Sequence, residues 1–596
     1  MLKQNFKYIQ SAFKLVWNSA SKWTIVYAIL TLLQSILPIV FIYLMKIIID
    51  NVTLAIAAID KQEAINKLIF IIILTGMVYF INAIVNSYST LVREYQNKQV
   101  NAYMNKLIHN KSVELDLSYF ENPKYQDIFH RASQEATYRP IKIVNGLFQL
   151  LQNSISIILL TILLLTLHWA VAFVLILASL PEYFVRIKYA KKNFVLQQEQ
   201  TQDERRLFYY HRILTGEPFA KEIRIYALGQ LFIEKFQLLN DYLRNKKINI
   251  SKNKAIAEII AQIIIVISVF STFGFIALQT IEGVLTIGAM VMYFMAFQKG
   301  MSYLKDMLNS ISNLYEDNLF ITNLNEYLML QSQTKPTIDV INFPKPLKKG
   351  IMLENVCFKY PNTNRNVLNR VNLFIPKGKT VAIVGENGAG KTTIVKLICG
   401  LYQPTSGQVL FDDISTNNID KETFSANMSV VFQDYVLFNM TAKENIWFGD
   451  IKSPMDDYKI KIAAQNSNID SIIANLPNGY NTTLGKLFDN SEELSIGEWQ
   501  KIVLAKAFYR NSQIIILDEP TSSLDAKTEN ELFHNFKKIV KDKTALIISH
   551  RFSTVKMADF IIVLDKDAIV EQGTHEELIN KSGIYARFFE MQSEKY

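Results

Sequence analysis

Cysteine is nearly absent. Only Cys357 and Cys399 occur in 596 residues, and neither belongs to a CxxC pair. A disulfide framework or a thiolate metal site is therefore not expected, and both are read as buried small apolar residues. Charge is also scarce, at 20% of residues against 50% hydrophobic. Acid is outnumbered by base, 54 to 63, for a net charge of +9. A basic chain can bind nucleic acid, but no recognition module of that kind is present, so no nucleic-acid partner is expected. A cleavable leader is missing too: the first apolar run starts near Thr24 and is about 22 residues long, a membrane span rather than a signal core.

The averages hide a split. Six apolar stretches of spanning length occupy about 24–45, 68–88, 146–166, 169–187, 258–279 and 285–305. The stretch around His168 must turn tightly between the third and fourth. Lys3, Lys7, Lys14 and Lys22 precede the first stretch with no acid among them, and the 188–257 segment is dense in Lys and Arg. The short connections carry only His168 and Glu282. The positive-inside rule then places both termini in the cytoplasm of a multi-pass cell-membrane protein in contact with lipids. Phe6, Ile9, Phe13, Val16 and Trp17 recur at helical spacing with lysines between them, the pattern of an interfacial amphipathic helix. The two long inner segments are expected to extend the spans and to end in short transverse helices near Pro123–Arg131 and Ala220–Ala227. Intramembrane Gln34, Asn82, Asn86, Glu182 and Gln262 are costly in lipid and should face protein or a cavity.

Three prolines between Lys335 and Lys349 mark a boundary. The expected organisation is a 1–330 membrane domain, a 331–348 linker and a soluble α/β domain over 349–596. In the last, Val381–Val384 reads as a buried strand, Gly385–Thr392 (GENGAGKT) fits G-x-x-x-x-G-K-[ST], and a helix follows. Strand, glycine loop and helix together form a phosphate loop: Gly385, Asn387, Gly388 and Gly390 let backbone amides approach phosphates, and the helix start adds a favourable dipole. In such a loop Lys391 reaches the β/γ-phosphates and Thr392 ligates Mg²⁺, with Thr393 beginning the helix. Downstream, the apolar strand Ile514–Leu517 ends in Asp518-Glu519, one carboxylate suited to the Mg²⁺ shell and one to polarising water. Ser495 in LSIGEWQ can cap a helix and present a hydroxyl and amides to an anion.

These motifs, in this order, resemble the ATP-binding cassette (ABC) exporter family, of the type that fuses a membrane half to an ATPase half. The resemblance covers essentially the whole chain. It implies a six-helix α-helical membrane domain, and an α/β P-loop ATPase domain with an antiparallel β subdomain. It also implies ATP and Mg²⁺ as cofactors, and a homodimer that exports an amphipathic substrate, with lipid flipping or a gated channel as alternatives. Residue by residue, Tyr360 would stack on adenine, and Gln433 would contact Mg²⁺ and the attacking water. Ser495 and Gly497 would bind the γ-phosphate held by the other protomer. Asp518 would support Mg²⁺, Glu519 would be the general base, Asp525 would communicate across the dimer and His550 would contact the γ-phosphate.

Two departures stand out. The family's LSGGQ reads LSIGE here, and Thr482-Thr483-Leu484-Gly485-Lys486 lacks the glutamate of the TEVGE-like run in many multidrug exporters. The text around the signature looks closer to lantibiotic-type peptide exporters. No N-terminal cysteine-peptidase domain is seen, so trimming of a leader peptide is not expected. Met290, Phe294, Phe297 and Met301 form a stripe in the sixth stretch that could line a substrate cavity, face lipid or pack against helices.

Overall fold

The computed structural model describes residues 2–57, 61–136, 138–332, 340–361, 363–521 and 526–593. The chain divides into two compact units, one comprising Met1–Val113 with Asp127–Leu330, the other Glu114–Gln126 with Gln331–Tyr596.

The first unit is helical. Its elements lie on α1 (Leu2–Ala57), α2 (Lys61–Glu114), α4 (Pro123–Ala136), α5 (Arg139–Leu165), α6 (Trp169–Thr215), α7 (Ala220–Ile225), α8 (Gly229–Ile281) and α9 (Ile287–Met329); the short α3 (Leu117–Phe120) belongs to the second unit. α1 breaks at Ala20, whose φ of −145° and ψ of 41° are not helical, so the amphipathic start is separated from the apolar run behind it. The 54 residues of α2 rise roughly 80 Å as helix, well over twice a ~30 Å bilayer core, so it runs far beyond the membrane. Between α5 and α6 the chain turns at Thr166–His168. There His168 caps α6 by accepting the Ala170 N–H at Nδ1 (3.1 Å).

By length and composition, five helices among the described residues can cross a membrane: those carrying the first five apolar stretches. α9, which carries the sixth, is less apolar because Gln298 and Lys299 interrupt it. Its core-facing side explains how it is held. Phe297 is fully buried, and Met292, Tyr293, Ala296 and Met301 share a cluster with Leu160, Leu164, Leu175 and Ile276. Met290 packs on that cluster, and Phe294 lies against Phe273 with centroids 4.7 Å apart. The stripe is thus helix packing within the chain. At its start α9 crosses α1 closely: the Gly288 N–H donates to Asp50 Oδ1 (3.0 Å), and a Cβ at Gly288 would meet the Lys46 carbonyl at 2.5 Å.

The apolar faces of α2 and α8 point outward, with Phe70, Ile73, Phe80, Ile263, Ile267 and Phe270 all exposed, the surface that lipid would cover. Two of the costly polar residues are satisfied within the bundle. Gln34 donates to Asn86 (2.8 Å), and the buried Glu182 pairs with Arg186, which also holds Asn309. Gln262 departs from expectation, since it is exposed on this chain.

The second unit is α/β. A four-stranded sheet, ordered β2-β1-β4-β5, pairs β1 (Gly350–Phe358), β2 (Leu368–Pro376), β4 (Ser406–Phe411) and β5 (Ile414–Ser415) antiparallel. A six-stranded sheet, ordered β10-β9-β3-β8-β7-β6, contains β3 (Thr380–Gly385), β6 (Met428–Val431), β7 (Ile514–Asp518), β8 (Thr544–Ile548), β9 (Phe560–Asp565) and β10 (Ala568–Gly573). All its pairs are parallel except β9–β10. β7 and β8 are buried at every residue, as two covered faces require. The segment around α3 is seated in this unit: Leu117 packs on its core, and Tyr402 donates to the Glu121 carboxylate with Lys396 Nζ 3.4 Å away.

The cysteines need one correction. Neither is fully buried, and Cys357 is not in a purely apolar setting, because its sulfur accepts the Arg370 N–H (3.2 Å).

Candidate functional site

Four adjacent parallel strands, β3, β8, β7 and β6, run the same way, so their carboxyl ends form one rim. The chain leaves that rim at the Gly385 loop, at Ser549-His550, at Asp518-Glu519 and just before Gln433. Ligand sites in parallel sheets form at such a rim, because backbone amides and helix starts converge there.

The phosphate loop leads into α10 (Lys391–Ile398). Gly388 and Gly390 have φ of 83° and 98°, the left-handed region that glycine reaches without strain, and Gly390 occupies the cap position of α10. Gly385 must also lack a side chain, since a Cβ there would sit 2.2 Å from the Leu564 carbonyl oxygen of β9. Lys391 folds back over the loop and donates to the carbonyls of Gly385 (2.8 Å) and Glu386 (2.9 Å). Burial pulls its ammonium below the ordinary lysine range, and the charges of Glu519 and Asp518 pull the other way. Glu386, Asn387 and His550 line a cavity of about 890 Å³.

Asp518 is 1% exposed, and neither carboxylate oxygen closes a hydrogen bond of normal geometry. Burial pushes its carboxyl up to about 6, with the neighbouring Thr392 hydroxyl and Lys391 charge opposing and Glu519 adding to the rise. A buried, unsatisfied acid beside a threonine hydroxyl and next to a phosphate loop fits a hard cation such as Mg²⁺, which takes one or two carboxylates and completes its shell with water and phosphate oxygens.

Glu519 is held from two sides. Gln433 Nε2 donates to Oε2 (3.1 Å), and His550 Nε2 lies 2.7 Å from Oε1. Its backbone N–H donates to the Ile548 carbonyl (2.9 Å), and Gln500 donates to its carbonyl (3.3 Å). Glu519 has φ of 51°, a strained value for a non-glycine residue that persists only where the surroundings impose it. Burial and the Lys391 charge push the His550 imidazole down, and Glu519 pushes it up; the net shift is downward, so the ring is neutral at neutral pH.

Tyr360 lies one turn from the loop. Its hydroxyl is 3.0 Å from Thr393 Oγ1, its ring meets Phe358 and Tyr402 edge-on, and Lys396 Nζ sits 5.4 Å from its centroid. Lys396 and Tyr402 escaped sequence reasoning. Lys396 is one turn past Lys391 on α10 and could have been found by spacing, but Tyr402 carries no local signal.

Ser495 caps α15 (Ile496–Tyr509) through a capping box. Its hydroxyl donates to Glu498 (2.8 Å), which also accepts the Ser495 N–H (2.8 Å). The glutamate that replaces the usual glutamine is therefore engaged at the helix start. Ile496, the other departure, projects outward at 69% exposure, and its carbonyl accepts from the Tyr435 hydroxyl. Among the described residues no hydrogen bond joins Ser495 or Gly497 to the phosphate loop. Asp525 lies outside the described residues.

Comparison with known proteins agrees with this geometry. The ABC transporter transmembrane region model matches residues 24–302, and the ABC transporter model matches 368–522, together well over half the chain. The subtilin transport ATP-binding protein of Bacillus subtilis is 29% identical over 98% of this chain and 94% of its own length. The nisin transport ATP-binding protein of Lactococcus lactis is 28% identical over 99% and 96%. An ATP-dependent lipid A-core flippase of Vibrio vulnificus is 28% identical over 86% of both chains. The structure of a bacterial Atm1-family ABC exporter with ATP bound shares the fold, at a TM-score of 0.82 and 20% identity over 96% of this chain and 97% of that one. The chain belongs to the ABC transporter family, with transmembrane and ATP-binding regions fused in one polypeptide. It is a multi-pass membrane protein, and its activity is ATP hydrolysis coupled to export.

Proposed function

We propose that two copies of this chain form a homodimer that exports an amphipathic substrate, a peptide, lipid or drug-like molecule, by alternating access. The observation that carries the reading is the Glu519 carboxylate, held between Gln433 and His550 at the rim where the phosphate loop begins. A carboxylate so placed can take the proton of a water attacking the γ-phosphate. Gln433 orients that water, and neutral His550 donates towards the γ-phosphate. Lys391 meets the β/γ-phosphates. Tyr360 stacks on adenine, a contact worth about 1–3 kcal/mol. Ser495 and Gly497 close over the γ-phosphate held by the other protomer, and Asp525 communicates across the dimer. Thr392, Gln433 and Asp518 would hold Mg²⁺, which supplies charge neutralisation at the phosphates when bound.

In this reading the membrane domain spans 1–330 and crosses six times, a linker covers 331–348 and the cassette covers 349–596. Both termini lie in the cytoplasm and the chain resides in the cell membrane. ATP closes the two cassettes and so favours the outward-open state; a ligand shifts such an equilibrium only through its differential affinity for the two states. The relatives named for subtilin and nisin transport support a peptide substrate, and those named lipid A-core flippases support a lipid. The test is ATP-dependent uptake of a labelled amphipathic peptide into inside-out vesicles holding the purified chain. Accumulation supports export, leaflet exchange of a labelled lipid without accumulation supports flipping, and an ATP-gated ion current would replace both readings.

A further inference from the structure

In the membrane unit, beyond the apolar stretches of α2, α5 and α9, lies a cavity of about 300 Å³ that the nucleotide chemistry does not use. Its lining includes Arg93, Arg139, Lys142, Asn145, Asn313 and Asp317. One cation is balanced: Arg139 forms a buried ion pair with Asp317, tying the start of α5 to α9. Arg93 and Lys142 have no acidic partner within ion-pair distance among the described residues; Lys142 contacts only the face of Tyr138, 4.7 Å from its centroid. The cavity therefore carries excess positive charge. The Asn145 side-chain oxygen, which faces the same space, is buried without a donor. A purely structural ion-pair network would balance its charges, whereas an anion receptor leaves them open. The volume suits a head group rather than a whole peptide. The level also fits: Arg93 follows the second apolar stretch, Arg139 and Lys142 precede the third and Asp317 follows the sixth, so the cavity sits where an amphipath in the inner leaflet presents its head.

We propose that this cavity receives the anionic group, phosphate or carboxylate, of the exported amphipath; the proposal rests on the export reading. Arg93 and Lys142 supply the recognising charge, and the Arg139–Asp317 pair fixes the wall they stand on. Charge-assisted hydrogen bonds of this kind discriminate by about tenfold or more in affinity.

The test measures equilibrium binding to the purified full chain in maltoside micelles without ATP. The probes are a fluorescent short-chain phosphatidic acid and the diacylglycerol with the same chains. The wild type should bind the phosphatidic acid at least about tenfold more tightly. The Arg93→Gln/Lys142→Gln variant should lose that preference, keep its affinity for the diacylglycerol and keep basal ATPase activity, and Arg93→Lys should retain the preference. Equal affinity for the two probes in the wild type, or an undiminished preference in the double variant, overturns the proposal. Competition by millimolar inorganic phosphate alone would also overturn it, since a free anion rather than an amphipath would then be the ligand. Because binding is read without ATP, a failure of ATP-driven vesicle uptake would strike the export reading and leave this result standing.

Discussion

Asp518 should destabilise the fold it belongs to. Its carboxyl is pushed from an ordinary 3.8 up to about 6, chiefly by burial. At roughly 1.4 kcal/mol per pH unit, the charged form costs the folded cassette about 3 kcal/mol at neutral pH. For an acid whose folded value is raised, the associated stability is complete below the unfolded value near 4. It is lost as pH climbs through about 6. Asp518→Asn removes the charge and keeps the shape. The nucleotide-free variant should therefore melt several degrees above wild type at pH 8, and the gap should shrink as pH falls from about 7 to 4. Adding ATP with Mg²⁺ should reverse the order, because only the wild type offers the carboxylate to the cation. The assay is a thermal-melt series on purified protein across pH, with and without Mg²⁺ and ATP. An Asn variant that melts lower at every pH, or a gap independent of pH, would refute the view of Asp518 as a functional carboxylate kept at the expense of stability.

Further outcomes follow from other parts of the structure. Lys391→Ala removes the cation at the centre of the phosphate loop, so ATPase activity of the purified protein should collapse while membrane insertion is unchanged. Phe297 is fully buried in the helical unit, so Phe297→Ala should cost about 3–5 kcal/mol and appear as a lower melting temperature, with basal ATPase per folded molecule retained. A cysteine placed at His168 should react with an impermeant thiol reagent from outside the cell, and labelling only from the cytoplasmic side would overturn the proposed topology.

The phosphate loop was legible because its parts are contiguous: strand, glycines, lysine and helix follow one another within a few residues, and the geometry follows locally. The rest of the rim was not legible from spacing. Gln433 and Glu519 stand 86 positions apart, and only the strand order brings them to 3.1 Å. Family resemblance supplied those assignments in advance. It did not supply the strained φ of Glu519 or the tie from Gln500, which are consequences of packing. In the helical unit, apolar length located the helices, and the positions of His168 and Pro123 located turns and starts. A stripe such as Met290, Phe294, Phe297 and Met301 has the same periodicity whether it meets lipid, cargo or another helix, so only the packed structure could decide. Ala20 gave no sign of a break, because alanine is a good helix former and the kink is imposed by tertiary contacts. Lys396 and Tyr402 around Tyr360 depend on a fold-level juxtaposition, as does the docking of Glu121 beside them.

The central claim is that Glu519 is the base through which ATP hydrolysis drives this transporter. Glutamine keeps the size of the side chain and can still bind a water, but its amide cannot accept the proton. Purified Glu519→Gln protein should therefore hydrolyse ATP on the order of 10²–10⁴ times more slowly, while retaining ATP at full occupancy in a closed cassette dimer. Turnover, bound ATP and cassette separation measured together on that one variant give the most direct test. Near-normal turnover, or loss of ATP binding along with loss of stability, would contradict the account.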